Sequence, residues 1–149
     1  MDAALIPTIA VIPSNGRPFL EECISSIKNQ VDRIVVVSNG NNSMSLTEVN
    51  YVPDTEEDLN ISRWWNLGID VASSLVIEDE WNILVLNDDV IACPHLVETL
   101  SREMRSSTSV LAFPNQHDDQ SILHREPKSV DLRYRITGYC FMLRGEAEM

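Results

Sequence analysis

Positive charge is scarce in this chain of 149 residues. It has 11 Lys and Arg against 23 Asp and Glu, which gives a formal net charge of -12 at pH 7. General DNA- and RNA-binding proteins rely on clustered Lys and Arg to neutralise the phosphate backbone. The composition therefore argues against general nucleic-acid binding. An anionic ligand would need a metal, a helix N-terminus or a single arginine.

Long hydrophobic runs and paired cysteines are also missing. No apolar run approaches the ~20 residues of a membrane helix, and the N-terminus has no basic region followed by an apolar one. We therefore expect no membrane span and a cytoplasmic location. The three cysteines, Cys23, Cys93 and Cys140, are far apart and each has apolar neighbours. This pattern predicts buried free thiols rather than disulfides or a zinc site.

Glycine is sparse, and the five glycines are isolated from one another. The chain therefore shows no Gly-rich basic loop of the kind that grips a nucleoside triphosphate, and no nucleophile elbow of a Ser-His-Asp hydrolase. Repeats, low-complexity tracts and Gly/Ser linkers are absent as well. A chain of this length and composition is expected to form a single domain over residues 1–149.

Residues 8–38 have the pattern of a strand, a helix and a second strand. An apolar run at 8–12 is ended by Pro13, apolar residues recur at helical spacing between 18 and 30, and residues 33–38 are rich in β-branched side chains. Continuous apolar strands are typical of a sheet buried on both faces. The unit is therefore predicted to be a parallel pair joined by a right-handed crossover.

The rest of the chain continues this alternation. It predicts a short strand at 47–52, a solvated acidic turn at 53–58, a buried helix at 60–72, a strand at 83–86, a helix at 94–105, and strands at 109–113 and 136–144. In the helix at 60–72, Asn66 and Gly68 cost helical propensity, which predicts close backbone contact or a polar contact there. The whole pattern predicts an α/β fold with a mostly parallel sheet flanked by helices.

Residues 114–128 are polar and without periodicity, and we expect them to form a mobile lid or binding loop. The loop contains His117, Asp118, Asp119 and His124. A metal site there is one interpretation, and solvated side chains are the other.

The strand at 83–86 ends in Asn87-Asp88-Asp89. Adjacent carboxylates at the end of a buried strand repel each other, and a divalent metal that carries a phosphate would relieve this repulsion. A solvated turn is the simpler alternative, because Asn and Asp are common in turns. In open parallel sheets ligands bind outside the carboxyl ends of the strands, so residues 13–17 and 38–41 are expected to share one rim with this stretch.

In chain order these segments resemble family 2 glycosyltransferases, inverting enzymes of the GT-A fold that use a nucleotide-diphosphate sugar. The resemblance is carried by residues 11–17, 20–30, 34–42, 60–68, 86–90 and 137–144, and it covers nearly all of the chain. It implies a GT-A (Rossmann-like) fold in one nucleotide-sugar-binding domain. The implied function is metal-assisted transfer of a sugar from that donor to an acceptor that the sequence does not identify.

The resemblance also implies a site. Asp89 is the expected direct ligand of a divalent metal, Mn²⁺ or Mg²⁺. The residues expected to bind the nucleotide sugar are Pro13, Asn15, Arg17, Ser38, Asn39, Arg63, Asn66, Asn87 and Asp88.

The sequence departs from the family in three places. Ser38 stands where the family commonly has an Asp that contacts the base or ribose, and Asn87 replaces the first acidic residue of the DxD motif. The family's general base is not recognisable, since Glu146 and Glu148 lie in no base motif. A C-terminus that is short or truncated relative to the family is therefore expected. The apolar surface that it would leave exposed predicts a homo-oligomer.

Two alternatives remain open from the sequence. One is a nucleotide-sugar binding module without transferase activity, which the missing general base favours. The other is a nucleotidyltransferase-like α/β enzyme, which would share the sheet and the acidic strand end. The lack of a Gly-rich basic loop speaks against that second alternative.

Overall fold

The structure, a computed structural model, describes residues 6–14, 19–38, 49–54, 60–114 and 140–148. Its strands are Thr8–Ser14 (β1), Arg33–Ser38 (β2), Val49–Pro53 (β3), Asn82–Leu86 (β4), Leu111–Ala112 (β5) and Cys140–Arg144 (β6). Its helices are Leu20–Ile27 (α1), Ile61–Leu75 (α2) and Leu96–Arg105 (α3), followed by a 3-10 helix at Gly145–Glu148.

The six strands form one sheet in the order β3-β2-β1-β4-β6-β5. β1 pairs in parallel with β2 on one side and β4 on the other, and β2 pairs in parallel with β3. β6 runs antiparallel to both β4 and β5. The predicted α/β fold with a mostly parallel sheet is therefore confirmed, including the strand-helix-strand unit at its start.

Helices cover both faces of this sheet. α1 and α3 share one hydrophobic core with Ala10 and Ile12, whereas α2 shares the other with Ile9 and Val11. Successive strand residues point to opposite faces, so a strand covered on both sides needs an unbroken apolar run. No helix in the described ranges is both long enough and apolar enough to cross a membrane.

β1 continues one residue past Pro13, the predicted end of the strand. Pro13 pairs with Val37 and Ser14 with Ser38, whereas the pairing with β4 stops at Val11. Pro13 thus lies where β1 has a strand on one side only. A proline, which lacks the backbone N–H, is tolerated best at such a place.

α1 ends at Ile27, three residues before the predicted end at Gln30. The Gln30 side chain is used elsewhere: its amide nitrogen donates to the carbonyl of Cys93 at 3.0 Å, and its amide oxygen accepts from the backbone N–H of Val97 at 3.1 Å. Gln30 therefore joins the end of α1 to the start of α3. This contact is not local, so helical periodicity could not reveal it.

The other boundaries shift by a few residues. α2 runs to Leu75 instead of 72, and α3 begins after His95, whose positive φ of 65° keeps it out of the helix. The strand predicted at 109–113 is reduced to the two residues of β5. Residues 115–128 of the predicted loop and 136–139 of the predicted last strand lie outside the described residues.

α2 lies very close to the sheet at Gly68. A Cβ atom added to Gly68 would lie 2.3 Å from Cγ1 of Val11 and 3.1 Å from Cγ2 of Val37. These valines belong to β1 and β2, and both are fully buried. The close backbone contact predicted for this glycine is therefore confirmed.

The amino ends of the strands are tied together by a buried polar network. Asn82, the first residue of β4, donates to the hydroxyl groups of Thr8 and Ser101 and accepts from Arg105. The Arg105 guanidinium also forms an ion pair with Glu146 in the 3-10 helix. The network thus joins β1, β4, α3 and the last described residues.

Glu146 is held as a carboxylate by this network. Burial raises the pKa of its carboxyl group, but hydrogen bonds from Arg105 and from backbone N–H groups outweigh that effect and lower the pKa from its ordinary 4.5. Glu146 also lies beside the first residues of β4, at the opposite end of that strand from Asn87-Asp88-Asp89.

Replacing Gly68 by Ala tests the close contact with β1. Alanine is the better helix former by about 1 kcal/mol, but overfilling a packed core costs about 1–3 kcal/mol. We expect Gly68→Ala to lower the free energy of unfolding in urea. Ser74→Ala, on the exposed side of the same helix, should change it by less than ~0.5 kcal/mol. A stabilised Gly68→Ala protein would contradict the contact.

Replacing Glu146 by Gln tests the network through pH. A carboxylate whose pKa is lowered by folding stabilises the protein above its unfolded pKa, and this contribution is lost as pH falls through the folded value. The wild type should therefore be more stable than Glu146→Gln at neutral pH, and the difference should fade as the pH drops below about 4.5. Urea unfolding over this range measures it, with the exposed Glu78→Gln as control. A pH-independent difference would refute the prediction.

Candidate functional site

The parallel strands bring polar residues together at the end of the sheet where these strands have their C-termini, the carboxyl edge. Ser14 ends β1, Ser38 ends β2, and Asn87-Asp88-Asp89 follow β4. The Ser14 hydroxyl donates to Oδ2 of Asp88 at 3.0 Å, although 74 positions separate the two residues. The ends of β1 and β4 are therefore joined directly by their side chains.

The two adjacent carboxylates differ in exposure. Asp88 is only 4% exposed and bonded to Ser14, whereas Asp89 is exposed and Asn87 is half-buried. Asp88 thus stabilises the packing between the ends of β1 and β4, and Asp89 is the carboxylate that a ligand or metal can reach.

Cys23 of α1 lies beneath this strand end. Its thiol donates to the backbone carbonyl of Asn87 at 3.4 Å. Burial, followed by the negative charge of Asp88, raises the pKa of Cys23 to about 12. Cys23 is therefore a protonated packing residue rather than a nucleophile. Cys23 and Cys140 are buried thiols outside any disulfide, as predicted, whereas Cys93, which also forms no disulfide, is only half-buried.

A second polar cluster lies at the ends of β2 and β3. Asp54 directly follows β3, and its backbone N–H donates to the carbonyl of Ser38 at 2.7 Å. Its side chain, 4% exposed, accepts from Nη2 of Arg63 at 2.6 Å and from the indole N–H of Trp64. The prediction of a solvated acidic turn is therefore wrong at Asp54.

The burial of Asp54 follows from the start of α2. Asn60 caps this helix by accepting from the backbone N–H of Arg63 at 3.1 Å, and the first turn then places Arg63 and Trp64 against Asp54. The sequence offered one signal for this role, because Asp54 follows an apolar strand just as Asn87 does. This signal could be used only once the end of β3 at Pro53 was known, because that end makes Asp54 the first residue after the strand.

The other predicted site residues have different surroundings. Pro13 is buried within β1, Ser38 is 4% exposed, and Asn66 is exposed on α2. Arg63 is 26% exposed and paired with Asp54. Asn15, Arg17 and Asn39 lie outside the described residues.

Some residues in the segments that resemble family 2 glycosyltransferases stabilise the fold through hydrogen bonds to the backbone. The Ser26 hydroxyl accepts from the backbone N–H of Ala92 at 2.9 Å. The Arg144 guanidinium donates to the backbone carbonyl of Met104 in the last turn of α3, and to those of Ser107 and Ser109 after the helix. These contacts fix the segments after β4 and α3 instead of facing the carboxyl edge.

A cavity of about 200 Å³ lies at the other end of the sheet. Its lining includes Thr8 at the start of β1, Asp32 before β2 and Ser101 of α3. The cavity is therefore separate from the carboxyl edge, and its lining includes none of the predicted site residues that the structure describes.

The donor set at the carboxyl edge determines which metal it could hold. Within the described ranges, no group of three or more His, Cys, Asp or Glu side chains forms a metal cluster. Mg²⁺ and Mn²⁺ need fewer protein ligands, since they keep waters and bind substrate phosphates alongside one or two carboxylates. The edge thus fits a hard metal that is bound together with a phosphorylated ligand.

Comparison with known proteins agrees with this architecture. Among solved structures, 25 chains match. One of them, described as a crystal structure of 4-diphosphocytidyl-2C-methyl-D-erythritol synthase, matches with a TM-score of 0.50 and 14% identity, over 95% of this chain and 76% of that chain. At this identity the likeness concerns the fold alone. No curated protein matches the chain.

The family comparison covers most of the chain. Residues 10–136 match the MobA-like NTP transferase domain. This match favours the nucleotidyltransferase-like alternative over the family 2 glycosyltransferase assignment, which is not confirmed. Because this match spans most of the sequence, the chain belongs to the MobA-like NTP transferase domain family.

Proposed function

We propose that this protein catalyses nucleotidyl transfer at the carboxyl edge of its sheet. In this reaction an acceptor oxygen attacks the α-phosphorus of a nucleoside triphosphate, and diphosphate leaves. The observation that carries the proposal is the unequal pair at the end of β4, with Asp88 buried against Ser14 and Asp89 exposed. A chain with a net charge of -12 needs a bound cation to hold a polyanionic substrate, and the exposed carboxylate of Asp89 is suited to bind one.

Asp89 is the proposed ligand of Mg²⁺ or Mn²⁺. A metal bound there would neutralise charge on the phosphates and on the departing diphosphate. Asp88, fixed by Ser14, holds the end of β4 so that Asp89 keeps its direction. We propose that the remaining predicted residues bind the nucleotide, namely Pro13, Asn15, Arg17, Ser38, Asn39, Arg63, Asn66 and Asn87.

Transfer of a sugar from a nucleotide-diphosphate sugar is the second candidate. One observation favours it: the stretch 13–18 has only one glycine and one arginine to hold a triphosphate. Both candidates use the same edge and the same metal. They differ in the bond that breaks, which is a phosphorus–oxygen bond in the first and a carbon–oxygen bond at the sugar in the second.

The released product separates the two candidates. Nucleotidyl transfer releases diphosphate from a nucleoside triphosphate, whereas sugar transfer releases a nucleoside diphosphate from a nucleotide sugar. Phosphorus NMR of the protein with each class of donor, Mg²⁺ and a panel of sugar phosphates distinguishes these products. We expect diphosphate. A nucleoside diphosphate would favour the second candidate, and binding without turnover would favour a pure binding module.

Asp89→Ala tests the metal end of the site. Loss of the exposed carboxylate should weaken Mg²⁺-dependent nucleotide binding at least tenfold, which is about 1.4 kcal/mol. Calorimetric titration with and without Mg²⁺ measures this loss. Asp79→Ala removes the same charge from an exposed turn before β4 and serves as the control. Equal binding by Asp89→Ala and the wild type would rule out this role for Asp89.

Ser14→Ala tests the supporting role of Asp88. The substitution removes a hydrogen bond from a buried carboxylate, and such a loss costs about 1–3 kcal/mol of stability. We expect a lower midpoint of urea unfolding. The exposed Ser106→Ala, expected to change stability by less than ~0.5 kcal/mol, is the control. A Ser14→Ala protein as stable as the control would show that Ser14 does not support Asp88.

A further inference from the structure

Asp54 and Arg63 form an ion pair at the carboxyl edge of the sheet, at a distance from Asp89, the proposed metal ligand. Asp54 is nearly inaccessible, with 4% side-chain exposure, whereas Arg63 keeps 26%. Of the two, Arg63 is therefore the one that a ligand could touch. Trp64 donates to the same oxygen of Asp54, which fixes the carboxylate from a second direction.

The sheet order sets the distance between this pair and Asp89. Asp54 is bonded to the end of β2, and β1 lies between β2 and β4. Neighbouring strands lie about 4.8 Å apart, so the ends of β2 and β4 are separated by about 10 Å. A nucleotide whose phosphates lie at Asp89 would have to extend its nucleoside half along this edge to reach Arg63.

The pairing also decides which part of a nucleotide suits Arg63. As a unit the pair has no net charge, so it offers little attraction to a phosphate. What it offers is a planar guanidinium in a fixed orientation, which can donate hydrogen bonds to a base or stack on it. Such a group suits the uncharged base and ribose of a nucleotide.

We infer that Asp54 is a positioning residue that holds Arg63 against the nucleoside half of the bound nucleotide. This inference rests on the proposed function, because it assumes a nucleotide with its phosphates at Asp89. It adds a residue that the sequence pattern assigned to solvated surface.

The sign of the effect distinguishes positioning from simple electrostatics. Asp54→Asn removes a negative charge from the carboxyl edge, so electrostatics alone would strengthen the binding of an anionic nucleotide. Loss of positioning instead weakens it. We expect Asp54→Asn to weaken binding of a nucleoside monophosphate about tenfold in calorimetric titration without metal, and to weaken the triphosphate by the same factor.

A double-mutant cycle with Arg63→Gln tests whether Asp54 acts through Arg63. In the Arg63→Gln background, Asp54→Asn should cause no further loss of affinity. Trp64→Phe removes the hydrogen bond that fixes Asp54 from the second direction, so it should weaken nucleotide binding in the same sense as Asp54→Asn but by a smaller factor. If Asp54→Asn does not fold, Asp54→Glu retains the charge but displaces Arg63 by a methylene, and a severalfold loss of affinity is expected.

The outcomes separate this inference from the proposed function. Unchanged or tighter binding by the folded Asp54 variants, while the wild type binds nucleotide with Mg²⁺, would overturn the inference alone. An Asp54→Asn effect that persists in the Arg63→Gln background would also overturn it. A wild type that binds no nucleotide would overturn both.

Discussion

Parallel pairing of β1 with both β2 and β4 is the constraint on which the rest of the structure depends. It places three strand ends at the same edge and buries both faces of the sheet, which explains the unbroken apolar runs. Side chains far apart in the chain can then form direct bonds, as Ser14 and Asp88 do. The site is thus a product of strand order, because the Ser14–Asp88 hydrogen bond joins the ends of two different strands.

The two edges of the sheet use polar groups in different ways. At the amino edge Asn82, Arg105 and Glu146 bond to one another and to the backbone, which satisfies buried groups and joins distant segments. The carboxyl edge contains two pairs in which a buried carboxylate lies next to a more accessible group. Asp88 is next to Asp89, and Asp54 is next to Arg63. A buried charge is costly unless it is paired, so each of these carboxylates depends on its hydrogen-bond donors.

Hydrophobic periodicity predicted the fold well, because two-sided burial of a strand and one-sided burial of a helix each leave a distinct pattern. It did not predict the early end of α1 or the burial of Asp54. Both depend on partners in other elements, Gln30 with α3 and Asp54 with the first turn of α2. The sequence predicted that polar residues at the ends of β1, β2 and β4 share one edge of the sheet. It could not predict the reaction, since sugar transfer and nucleotidyl transfer place similar acidic residues at the end of the same strand.

The hydrogen-bonded network at the amino edge has a consequence for how such a chain can evolve. Residues that hold β1, β4, α3 and the last described residues together are far from those that would contact a substrate. Substitutions at the carboxyl edge can then change substrate preference while most of the stability remains, and selection can act on the two ends separately. A scaffold of this kind can acquire new donors and acceptors through a few substitutions.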